Sequence, residues 1–528
     1  MPVYSQQSPP PSTDGQPPPV AGARRGTYWR RRLVVGLIGF TVVALVIVGG
    51  AYGYVQWRFH QIHREHVAGL AALGGSGDQP INILLVGDNC RDCLDGSQAS
   101  QFGTAADVAG GRADVTMLLR VDPGSGKVSL MSIPRDLWLP IPSSNSEIRV
   151  DAALNDGPSA LVSTIEDDLN IPINHYVELN FDTFQAVVNA LGGISMNFPT
   201  RLYDSYSTLN VPAGCFHLNG TQALQVVRAR HTYYQQAGVW NYDGLGDISR
   251  IARDHEFLTV LASAVSAKGL SNPVTDNDLI GAVAKDLTID STFSVSDLAG
   301  LAQAFSHVNL GTAPQTTLPV DEDNSPAGYV YQGTQYGDVV FPTGAGDRAA
   351  IEAFLGQPIP GSAGSPGALP VAILNGSGIS GQAAGTAAQL RALGFSVAST
   401  GTGTVNGSPA ESVVYYAPGH ESQAQRLVNE LGGAVALGQD ASIAGSGLTL
   451  VTGTNLTVAS PPAGAGSPSA PGVPASAGAS VPVATPIGGL TETSPAYPSF
   501  DPTACSAGQA AAPLPNLPVP NGNSLPSS

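Results

Sequence analysis

One short stretch of the chain has the residue types and the spacing that binding of a phosphorylated ligand requires. Two runs with strand-like alternation are joined by a turn of sequence DPGSG, which predicts a β-hairpin over residues 115–133. Arg112 and Asp114 precede the first strand, and Arg135 and Asp136 follow the second. Antiparallel pairing brings these ends together, so that arginines able to bind phosphate oxygens lie beside carboxylates able to hold a metal ion. Taken alone, the hairpin leaves a second interpretation open, in which these residues form surface salt bridges.

Two further pairs of arginines follow later in the chain. In a strand-like run, a period of two places Arg228 and Arg230 on one face. Asp247 opens a predicted helix, and Arg250 and Arg253 share a face of its first turns because they are three residues apart. A helix N-terminus already favours anions. A solvated helix face explains the last pair alone, but it does not explain all the arginine groups together, and we therefore expect an anion site.

The elements that must position these side chains alternate between strands and helices. Residues 81–88 form a nearly continuous apolar run that ends in Gly and Asp, which predicts a buried central strand whose carboxyl end opens onto a site. Amphipathic patterns predict helices over 158–169 and 181–191, and further strands are predicted over 175–180 and 194–198. The alternation predicts an α/β fold with a central mixed sheet.

Changes of composition divide the chain into segments. Arginines precede a long uncharged apolar run, so we expect one transmembrane helix with the N-terminus in the cytoplasm and the bulk of the chain extracytoplasmic, at the cell membrane. A cleaved signal peptide is the alternative, but the run is longer than a signal core and no clear cleavage site follows. The predicted order is a disordered cytoplasmic tail (1–32), the transmembrane helix (33–54), a stalk (55–80), a first domain (81–345), a linker (346–367), a small βαββα domain (368–453) and a disordered tail rich in Pro, Ala, Gly and Ser (454–528).

Charge and cysteine content narrow the function further. The formal net charge of −17 argues against a nucleic-acid partner, whose binding depends on neutralising phosphates. An extracytoplasmic location permits disulfides. We expect a bond within the first domain, either between Cys90 and Cys93 or between one of them and Cys215, because Cys505 lies in the predicted disordered tail. A redox or zinc role for the Cys-x-x-Cys pair is possible, but the accompanying ligands are missing.

Eight separated sequence blocks resemble the LytR-CpsA-Psr family in their order. They are NILLVGD (82–88), RADVTMLLRVDP (112–123), SIPRD (132–136), HYVELNF (175–181), ALGGI (190–194), HLNGTQAL (217–224), VRAR (227–230) and GDISRIARDHEFL (246–258). The blocks VAILNGSGISGQA (371–383) and VVYYAPG (413–419) are similar to the LytR C-terminal domain that actinobacterial members often carry.

The resemblance implies an α/β/α sandwich and an extracytoplasmic phosphotransferase activity. Such an enzyme takes a glycopolymer, here arabinogalactan or a related wall polysaccharide, from a polyprenyl pyrophosphate and joins it to peptidoglycan through a phosphodiester. Mg²⁺ and arginines are expected to hold the pyrophosphate, and a hydrophobic pocket to hold the lipid. Two alternatives remain: a polyprenyl pyrophosphate phosphatase, and a non-catalytic protein that binds the lipid pyrophosphate or the wall.

The resemblance also assigns roles to individual residues. It places Arg112, Arg135, Asp136 and Asp247 in catalysis, and it makes Asp114 a metal ligand. The second metal ligand is either Asp88 or Asn89, since an ungapped match puts the asparagine at the family's aspartate position. Ala113 and Val115 replace hydroxyl residues of the family's hairpin entry. The arginines expected to bind pyrophosphate are Arg112, Arg135, Arg149, Arg228, Arg230, Arg250 and Arg253.

Overall fold

The structure is a computed structural model. It describes residues 53–54, 56–73, 79–89, 111–141, 146–268, 281, 287–297, 300–301, 313–322, 328–359, 369–404, 410–440, 442–443, 447–459 and 500–526. The predicted cytoplasmic tail, nearly all of the predicted transmembrane helix, Cys90 and Cys93 lie outside these ranges. Within them, no helix combines the length and the apolar character needed to cross a bilayer. The chain divides into the units 1–58 and 59–528, and the second unit contains all the elements that follow.

The first domain contains strands β1–β19 and helices α1–α5. The strands are β1 His63–Glu65, β2 Ile81–Asp88, β3 Ala113–Asp122, β4 Lys127–Ile133, β5 Trp138–Ile141, β6 Ser146–Arg149, β7 His175–Leu179, β8 Ile194–Phe198, β9 Leu202–Asp204, β10 Leu209–Val211, β11 Gly214–Leu218, β12 Tyr233–Gln236, β13 Val239–Tyr242, β14 Leu287–Asp290, β15 Gln315–Thr317, β16 Val320–Glu322, β17 Tyr329–Tyr331, β18 Thr334–Gly337 and β19 Val340–Pro342. The helices are α1 Pro158–Leu169, α2 Phe181–Ala190, α3 Gly220–Arg228, α4 Asp247–Lys268 and α5 Ala345–Leu355; a 3₁₀ helix spans Val150–Asp156.

The central sheet is mixed, as the alternation of elements predicts. Its strand order among the described residues is β1-β14-β7-β2-β3-β4-β15. Strand β2 pairs in parallel with β7 and antiparallel with β3, and β3 pairs antiparallel with β4. The predicted hairpin is therefore confirmed. Its turn is fixed by Asp122, whose carboxylate accepts a hydrogen bond from the Ser125 backbone N–H at 3.1 Å, and by Gly126 at φ +64°.

Helices cover both faces of this sheet. On one face, Leu84 of β2 and Met131 of β4 belong to a core cluster with Leu161 of α1 and Phe354 of α5. On the other face, residues that alternate with these along β2 and β3, such as Leu85, approach helices α2, α3 and α4 across a cavity. The strand period of two thus separates a packed core from the wall of a cavity.

Two predicted connecting segments belong to the folded domain instead. The predicted stalk contains β1, which pairs in parallel with β14, and Val67, which is buried in the core cluster of the sheet. The predicted linker begins with α5, and Ile351 and Ile359 are buried in the same cluster. Both predictions were wrong for these residues because Gly, Pro and small residues mark the segments as connectors, while a few large apolar side chains bury enough surface to hold them in place.

The small domain has more strands than the sequence predicts. Its elements are β20 Val371–Asn375, α6 Gln382–Ala392, β21 Val397–Thr402, β22 Ser412–Tyr416, α7 Glu421–Val428, β23 Leu431–Gly432, β24 Val435–Gln439, β25 Leu448–Thr452 and β26 Thr457–Val458. The order of its main sheet is β21-β20-β25-β22-β24. The predicted βαββα order is present, but β25 enters the middle of the sheet, between β20 and β22. The pairing of β25 with β20 and β22 joins segments that are far apart in the sequence, so no local pattern predicts it.

The small domain packs against the first domain through buried aromatic and acidic groups. Trp138 of β5 lies in one apolar cluster with Tyr329 of β17 and Ala434 of the small domain. The Tyr329 hydroxyl donates a hydrogen bond of 2.7 Å to the Glu411 carboxylate, and both residues are fully buried. These contacts fix the small domain on the first domain on the side of β5 and β19.

The C-terminal segment 500–526 is folded against the first domain, contrary to the predicted disorder of 454–528. Strand β27 (Thr503–Ala504) pairs with β8, and β28 (Ala512–Pro513) pairs with β11. A disulfide joins Cys215 to Cys505, with 5.7 Å between their Cα atoms. The predicted pairing of Cys215 with Cys90 or Cys93 was therefore wrong, because the prediction treated the composition of the whole tail as uniform.

Candidate functional site

A cavity of about 310 Å³ lies between the central sheet and helices α2, α3 and α4. Its apolar wall comes from strands β2 and β3 below and from the three helices above. The apolar residues of this wall include Leu85, Val115, Met117, Phe181, Phe184, Leu224, Val227, Phe257 and Leu258. Local signals fix two of the helices: Asn180 caps α2 by accepting from the Thr183 N–H, and Asn219 with Gln222 forms a capping box at α3.

Charged side chains gather at one end of the cavity. Among the residues lining it are Arg135, Arg228, Arg230, Arg250, Asp88, Asn89, Asp114 and Asp254. They come from the carboxyl end of β2, the amino end of β3, the segment after β4, the end of α3 and the first turns of α4. An apolar chamber with a charged end has the shape and chemistry for an amphiphile with a long apolar chain and an anionic head.

Arg135 is the centre of the charged group. Its guanidinium forms an ion pair with Asp114 and lies 3.5 Å from Asp136 and 3.9 Å from Asp247. Burial opposes the charge, but Asp114, Asp136 and Asp247 together raise the pKa of Arg135. Burial also acts against the Asp114 carboxylate, yet Arg135, Arg250 and the Asn89 amide hold the pKa of Asp114 below its usual value. The expected contact between the two charged ends of the hairpin is therefore present.

Asp136 and Asp247 connect Arg135 to the other arginines. Arg230 lies 2.8 Å from Asp136 and 3.1 Å from Asp247, and Arg250 lies 3.0 Å from Asp247. Burial and the neighbouring Arg135 lower the pKa of Arg230, which shows how closely the cations are placed. These carboxylates hold several mutually repelling guanidinium groups at fixed positions.

Arg112 and Arg149 lie at the edge of this group, outside the lining of the cavity. Asp151 joins them, at 3.2 Å from Arg112 and 3.6 Å from Arg149, and Arg149 also lies 3.4 Å from Asp136. The two arginine side chains are 27% and 22% exposed, whereas the Asp151 side chain is fully buried. The sequence analysis gives Asp151 no role, although an acid two residues after Arg149 could have indicated an ion-pair partner for the arginines.

Arg228 and Arg230 reach the site in a different way from the one predicted. Arg228 is the last residue of α3, not part of a strand, and its guanidinium lies over the Phe181 ring at 4.5 Å. Arg230 follows the helix, and its backbone N–H donates to Asp204 at 2.8 Å. The β-branched residues of this run favour a strand, but the capping box at Asn219 starts a helix that includes them.

Arg253, like Arg112 and Arg149, does not line the cavity, and its acidic partners Asp243 and Asp501 lie outside the charged group around Arg135. Its side chain is fully buried and points away, with Nη1 2.6 Å from Asp501 and Nη2 donating to the Ala229 carbonyl at 2.5 Å. Arg250, one turn earlier, lines the cavity as expected. Arg250 and Arg253 therefore do not both face the cavity from α4.

The arginine donors are only partly satisfied by the described protein atoms. The buried Nε atoms of Arg135, Arg230 and Arg250 make no hydrogen bond of good geometry within the described part of the chain, although Arg230 Nε lies 3.1 Å from Asp247 and Arg135 Nε 3.5 Å from Asp136. A buried N–H group without an acceptor is costly, so an oxyanion that takes these donors gains what the protein alone does not supply. The charged end of the cavity is therefore suited to a phosphate or a pyrophosphate.

Comparison with known proteins identifies the family. Residues 58–339, more than half of the 528 residues, match the LytR_cpsA_psr family. The chain belongs to this family. Residues 368–455 match a second family, described as the LytR cell envelope-related transcriptional attenuator. The family resemblance seen in the sequence blocks is thus confirmed for both parts of the chain.

Individual members of the LytR_cpsA_psr family are moderately similar. The chain is 30% identical over 305 residues to the "Probable cell wall biosynthesis protein LcpB" of Corynebacterium glutamicum, which covers 57% of this chain and 70% of that protein. It is 27% identical over 272 residues to the "Polyisoprenyl-teichoic acid--peptidoglycan teichoic acid transferase TagU" of Bacillus cereus, covering 49% of this chain and 78% of that protein. A solved "LytR-Csp2A-Psr enzyme from Actinomyces oris" is 25% identical, with a TM-score of 0.43, and covers 56% of this chain and 95% of that one.

The metal ligands expected in this LytR_cpsA_psr member lie at neighbouring strand ends. Asp88 ends β2 opposite Ala113, next to Asp114. Asn89 donates its amide N–H to Asp114 at 2.8 Å, while its own Oδ1 is buried and accepts no hydrogen bond from the described residues. No group of three acidic, His or Cys residues suited to a metal occurs in the described ranges. Two carboxylates and an amide oxygen nevertheless fit Mg²⁺, which takes few protein ligands and completes its shell with water and phosphate oxygens.

Asp254 is a buried acid in the lining of the LytR_cpsA_psr site to which the sequence gave no role. Neither of its oxygens accepts a hydrogen bond within the described chain, and the nearest cation is the Arg250 Nε at 3.9 Å. Burial raises the pKa of Asp254 to about 7, against the opposing effect of Arg250 and Arg253. Near neutral pH the site therefore carries less negative charge than its acidic residues suggest.

We expect Asp254→Asn to raise the free energy of unfolding at alkaline pH. Between the usual Asp pKa of 3.8 and about 7, the folded protein keeps a proton that the unfolded chain releases. The stability of the wild type therefore falls as pH rises through this range, by about 4 kcal/mol at most. Urea unfolding should show the variant and the wild type alike near pH 4 and furthest apart at pH 8. A difference of the same size at both pH values would contradict a protonated Asp254.

Proposed function

We propose that the protein is a phosphotransferase that moves a glycopolymer from a polyprenyl pyrophosphate to peptidoglycan through a phosphodiester. The observation that carries the proposal is that an apolar cavity of about 310 Å³ ends at a cluster of arginines whose N–H donors the protein only partly satisfies. Membership of the LytR_cpsA_psr family and the relatives named for cell wall biosynthesis and for teichoic acid transfer support the same reaction.

The cavity accounts for the lipid part of the donor. The side chains on its sheet wall and its helix wall are apolar, and each methylene of a prenyl chain that leaves water for such a surface contributes about 0.8 kcal/mol. Phe181, Phe184 and Met117 are among the lining residues that would contact the lipid chain. This binding holds the pyrophosphate at the charged end, where Arg135, Arg230 and Arg250 meet it.

The arginines account for the chemistry of transfer. A hydroxyl of the peptidoglycan sugar attacks the phosphorus that carries the glycopolymer, the bond from that phosphorus to the bridging oxygen of the pyrophosphate breaks, and polyprenyl phosphate leaves. The hydroxyl proton passes to the departing polyprenyl phosphate or to water, and a phosphodiester forms. Negative charge grows on the leaving phosphate, and Arg135 and Arg230, held in place by Asp136, stabilise it without having to reorganise.

A magnesium ion belongs to this proposal as a cofactor. Asp114 and either Asp88 or Asn89 would hold it, and the bound ion would neutralise charge on the pyrophosphate oxygens. Asp114 is kept ionised by Arg135 and Arg250, which suits a metal ligand. Arabinogalactan or a related wall polysaccharide is the proposed cargo, and a single-pass membrane anchor with the N-terminus inside is the proposed location.

The decisive experiment measures transfer by the purified full-length protein in detergent with Mg²⁺. A radiolabelled lipid-linked saccharide and peptidoglycan oligomers serve as substrates, and the label is followed into the oligomers. Label on peptidoglycan supports the transferase. Phosphate release that is independent of the acceptor would instead identify a phosphatase, and tight binding without turnover under any divalent cation would identify a binding protein.

Removal of divalent metal should abolish transfer, and Mg²⁺ should restore it. We further expect Asn89→Asp to lower the Mg²⁺ concentration for half-maximal binding roughly tenfold, because an added negative ligand strengthens binding of a hard cation. Isothermal titration of Mg²⁺ into the protein with a bound prenyl pyrophosphate checks this without an activity assay. Asp182→Asn, in the first turn of α2 and outside the cavity lining, is the control and should leave the titration unchanged. Equal Mg²⁺ affinity of Asn89→Asp and the wild type would exclude position 89 from the metal site.

A further inference from the structure

The C-terminal segment 500–526 holds a buried acid against an arginine next to the site. The Asp501 carboxylate lies 2.6 Å from Arg253 Nη1, and both side chains have no exposed surface. Asp243 also forms an ion pair with Arg253, at the longer distance of 3.8 Å. A guanidinium this deeply buried requires a partner with opposite charge, and Asp501 is the nearer one. The C-terminal segment therefore supplies the main counter-charge of Arg253.

Arg253 transmits this contact to the loop that begins at Ala229, directly after Arg228 at the end of α3, and that carries Arg230. Its Nη2 donates to the carbonyl of Ala229, which separates Arg228 from Arg230. Both of these arginines line the cavity. On the other side of the loop, Asp204 accepts hydrogen bonds from the backbone N–H groups of Arg230 and His231, at 2.8 and 2.9 Å. The loop is thus held between Asp204 and the Asp501–Arg253 pair.

We propose that Asp501 is a positioning residue for the arginines of the site. It fixes Arg253 in the orientation that holds the Ala229 carbonyl, and through that hydrogen bond it fixes Arg228 and Arg230 toward the pyrophosphate. Loss of Asp501 leaves Arg253 with Asp243 as its acidic partner, so that the guanidinium turns and releases the loop. This inference rests on the proposed function only in naming pyrophosphate as the ligand. The coupling from Asp501 to the loop is independent of it.

The disulfide keeps Asp501 in place. Cys505 follows Asp501 by four residues and is bonded to Cys215 of β11. Further contacts hold this part of the segment: β27 pairs with β8, Phe500 stacks on Tyr234 at 4.2 Å, and the Ala504 N–H donates to Glu256 at 2.8 Å. The disulfide closes a loop of 290 residues, and it thereby keeps the C-terminal segment beside β11 although the two are far apart in the sequence. Replacing both cysteines by serine should therefore reproduce part of the effect of losing Asp501.

The test compares Asp501→Asn with the wild type as full-length protein in detergent with Mg²⁺. Geranylgeranyl pyrophosphate is the probe, and its dissociation constant is measured by isothermal titration. We expect the constant to rise about tenfold, as for the loss of one hydrogen bond to a charged group, and Asp501→Glu to recover part of the affinity. Gln509→Ala, in the same segment but exposed, is the control and should bind like the wild type.

Hydrogen exchange provides a readout that needs no ligand. In Asp501→Asn, amide exchange should become faster at residues 229–231 while the strands of the central sheet stay protected. Failure of the wild type to bind the probe would overturn the proposed function and leave the exchange result to decide the coupling. Equal binding by Asp501→Asn and the wild type, together with unchanged exchange at 229–231, would overturn the positioning role.

A second variant decides the question if Asp501→Asn does not fold. Arg253→Met combined with Asp501→Leu and Asp243→Asn removes the buried arginine together with both acids paired with it, a change that buried ion pairs often tolerate without loss of stability. This variant has no arginine to hold the Ala229 carbonyl, so its affinity for the probe should fall as in Asp501→Asn. Affinity equal to that of the wild type in this folded protein would overturn the proposal.

Discussion

Arg135→Ala should lower glycopolymer transfer by about 10²–10³-fold, the range seen when one preorganised charged donor is removed from a transfer site. The side chain lies among Asp114, Asp136 and Asp247, so its removal also leaves three acids facing the pyrophosphate without their shared counter-charge. Transfer of a radiolabelled saccharide to peptidoglycan oligomers measures the loss. Arg135→Lys keeps the positive charge but lacks the forked geometry of the guanidinium, so its transfer activity should lie between that of Arg135→Ala and that of the wild type.

Arg120→Ala is the matched control for this experiment. Arg120 lies toward the other end of the same hairpin, on β3, and its guanidinium donates to Asn82 at 2.9 Å. Transfer by this variant should stay within about twofold of the wild type, because the residue touches neither the cavity nor the acids around Arg135. If Arg135→Ala were as active as Arg120→Ala, Arg135 would have no role in transfer. The melting temperatures of both variants show whether a loss of activity results from unfolding.

The hairpin and its charged ends could be predicted because their signals are local. The turn sequence, the alternation along both strands and the placement of Arg112, Asp114 and Arg135 all lie within 25 residues. The same holds for α1 and α2, where apolar spacing and the end signals agree. Antiparallel pairing then brings Arg135 to Asp114 with no further information, which is why the predicted contact between the two ends of the hairpin is present.

The arrangement around α3 shows how competing local signals mislead. Residues Val226 and Val227 favour a strand by propensity, and the prediction followed them. The capping box between Asn219 and Gln222 satisfies the first N–H groups of a helix and nucleates it earlier in the chain. Arg228 lines the cavity from the end of α3, so the error concerned the secondary structure around this residue and not its proximity to the other arginines.

The contact between Arg253 and the C-terminal segment could not be predicted from local sequence. Their contact depends on pairing of β27 with β8 and on a disulfide across 290 residues. A signal was present: Phe500, Asp501 and Cys505 stand close together in a tail of mostly small residues. An aromatic ring, an acid and a cysteine so close together indicate a segment that packs against the folded domain. The prediction missed this segment because it used the average composition of residues 454–528.

Val227→Trp should weaken binding of a long-chain prenyl pyrophosphate about 100-fold while leaving binding of inorganic pyrophosphate unchanged. Val227 lines the cavity from α3, and an indole there occupies space that the lipid chain needs. Displacing about four methylene-sized groups from the apolar wall costs about 3 kcal/mol, which is about 100-fold in affinity. Competition with a fluorescent prenyl pyrophosphate, for chains of increasing length, measures the effect.

The length dependence separates the two halves of the site. In the wild type, affinity should rise with each added isoprene unit, whereas in Val227→Trp the rise should stop at a short chain, because the arginines are intact and only the apolar chamber is filled. Val239→Trp, on the exposed strand β13, adds the same indole in solvent and should retain the full length dependence. Leu224→Phe fills the chamber less and should stop the rise at a longer chain. If Val227→Trp kept the length dependence of the wild type, the lipid would have to bind outside the cavity, and the arginines alone would have to select the donor.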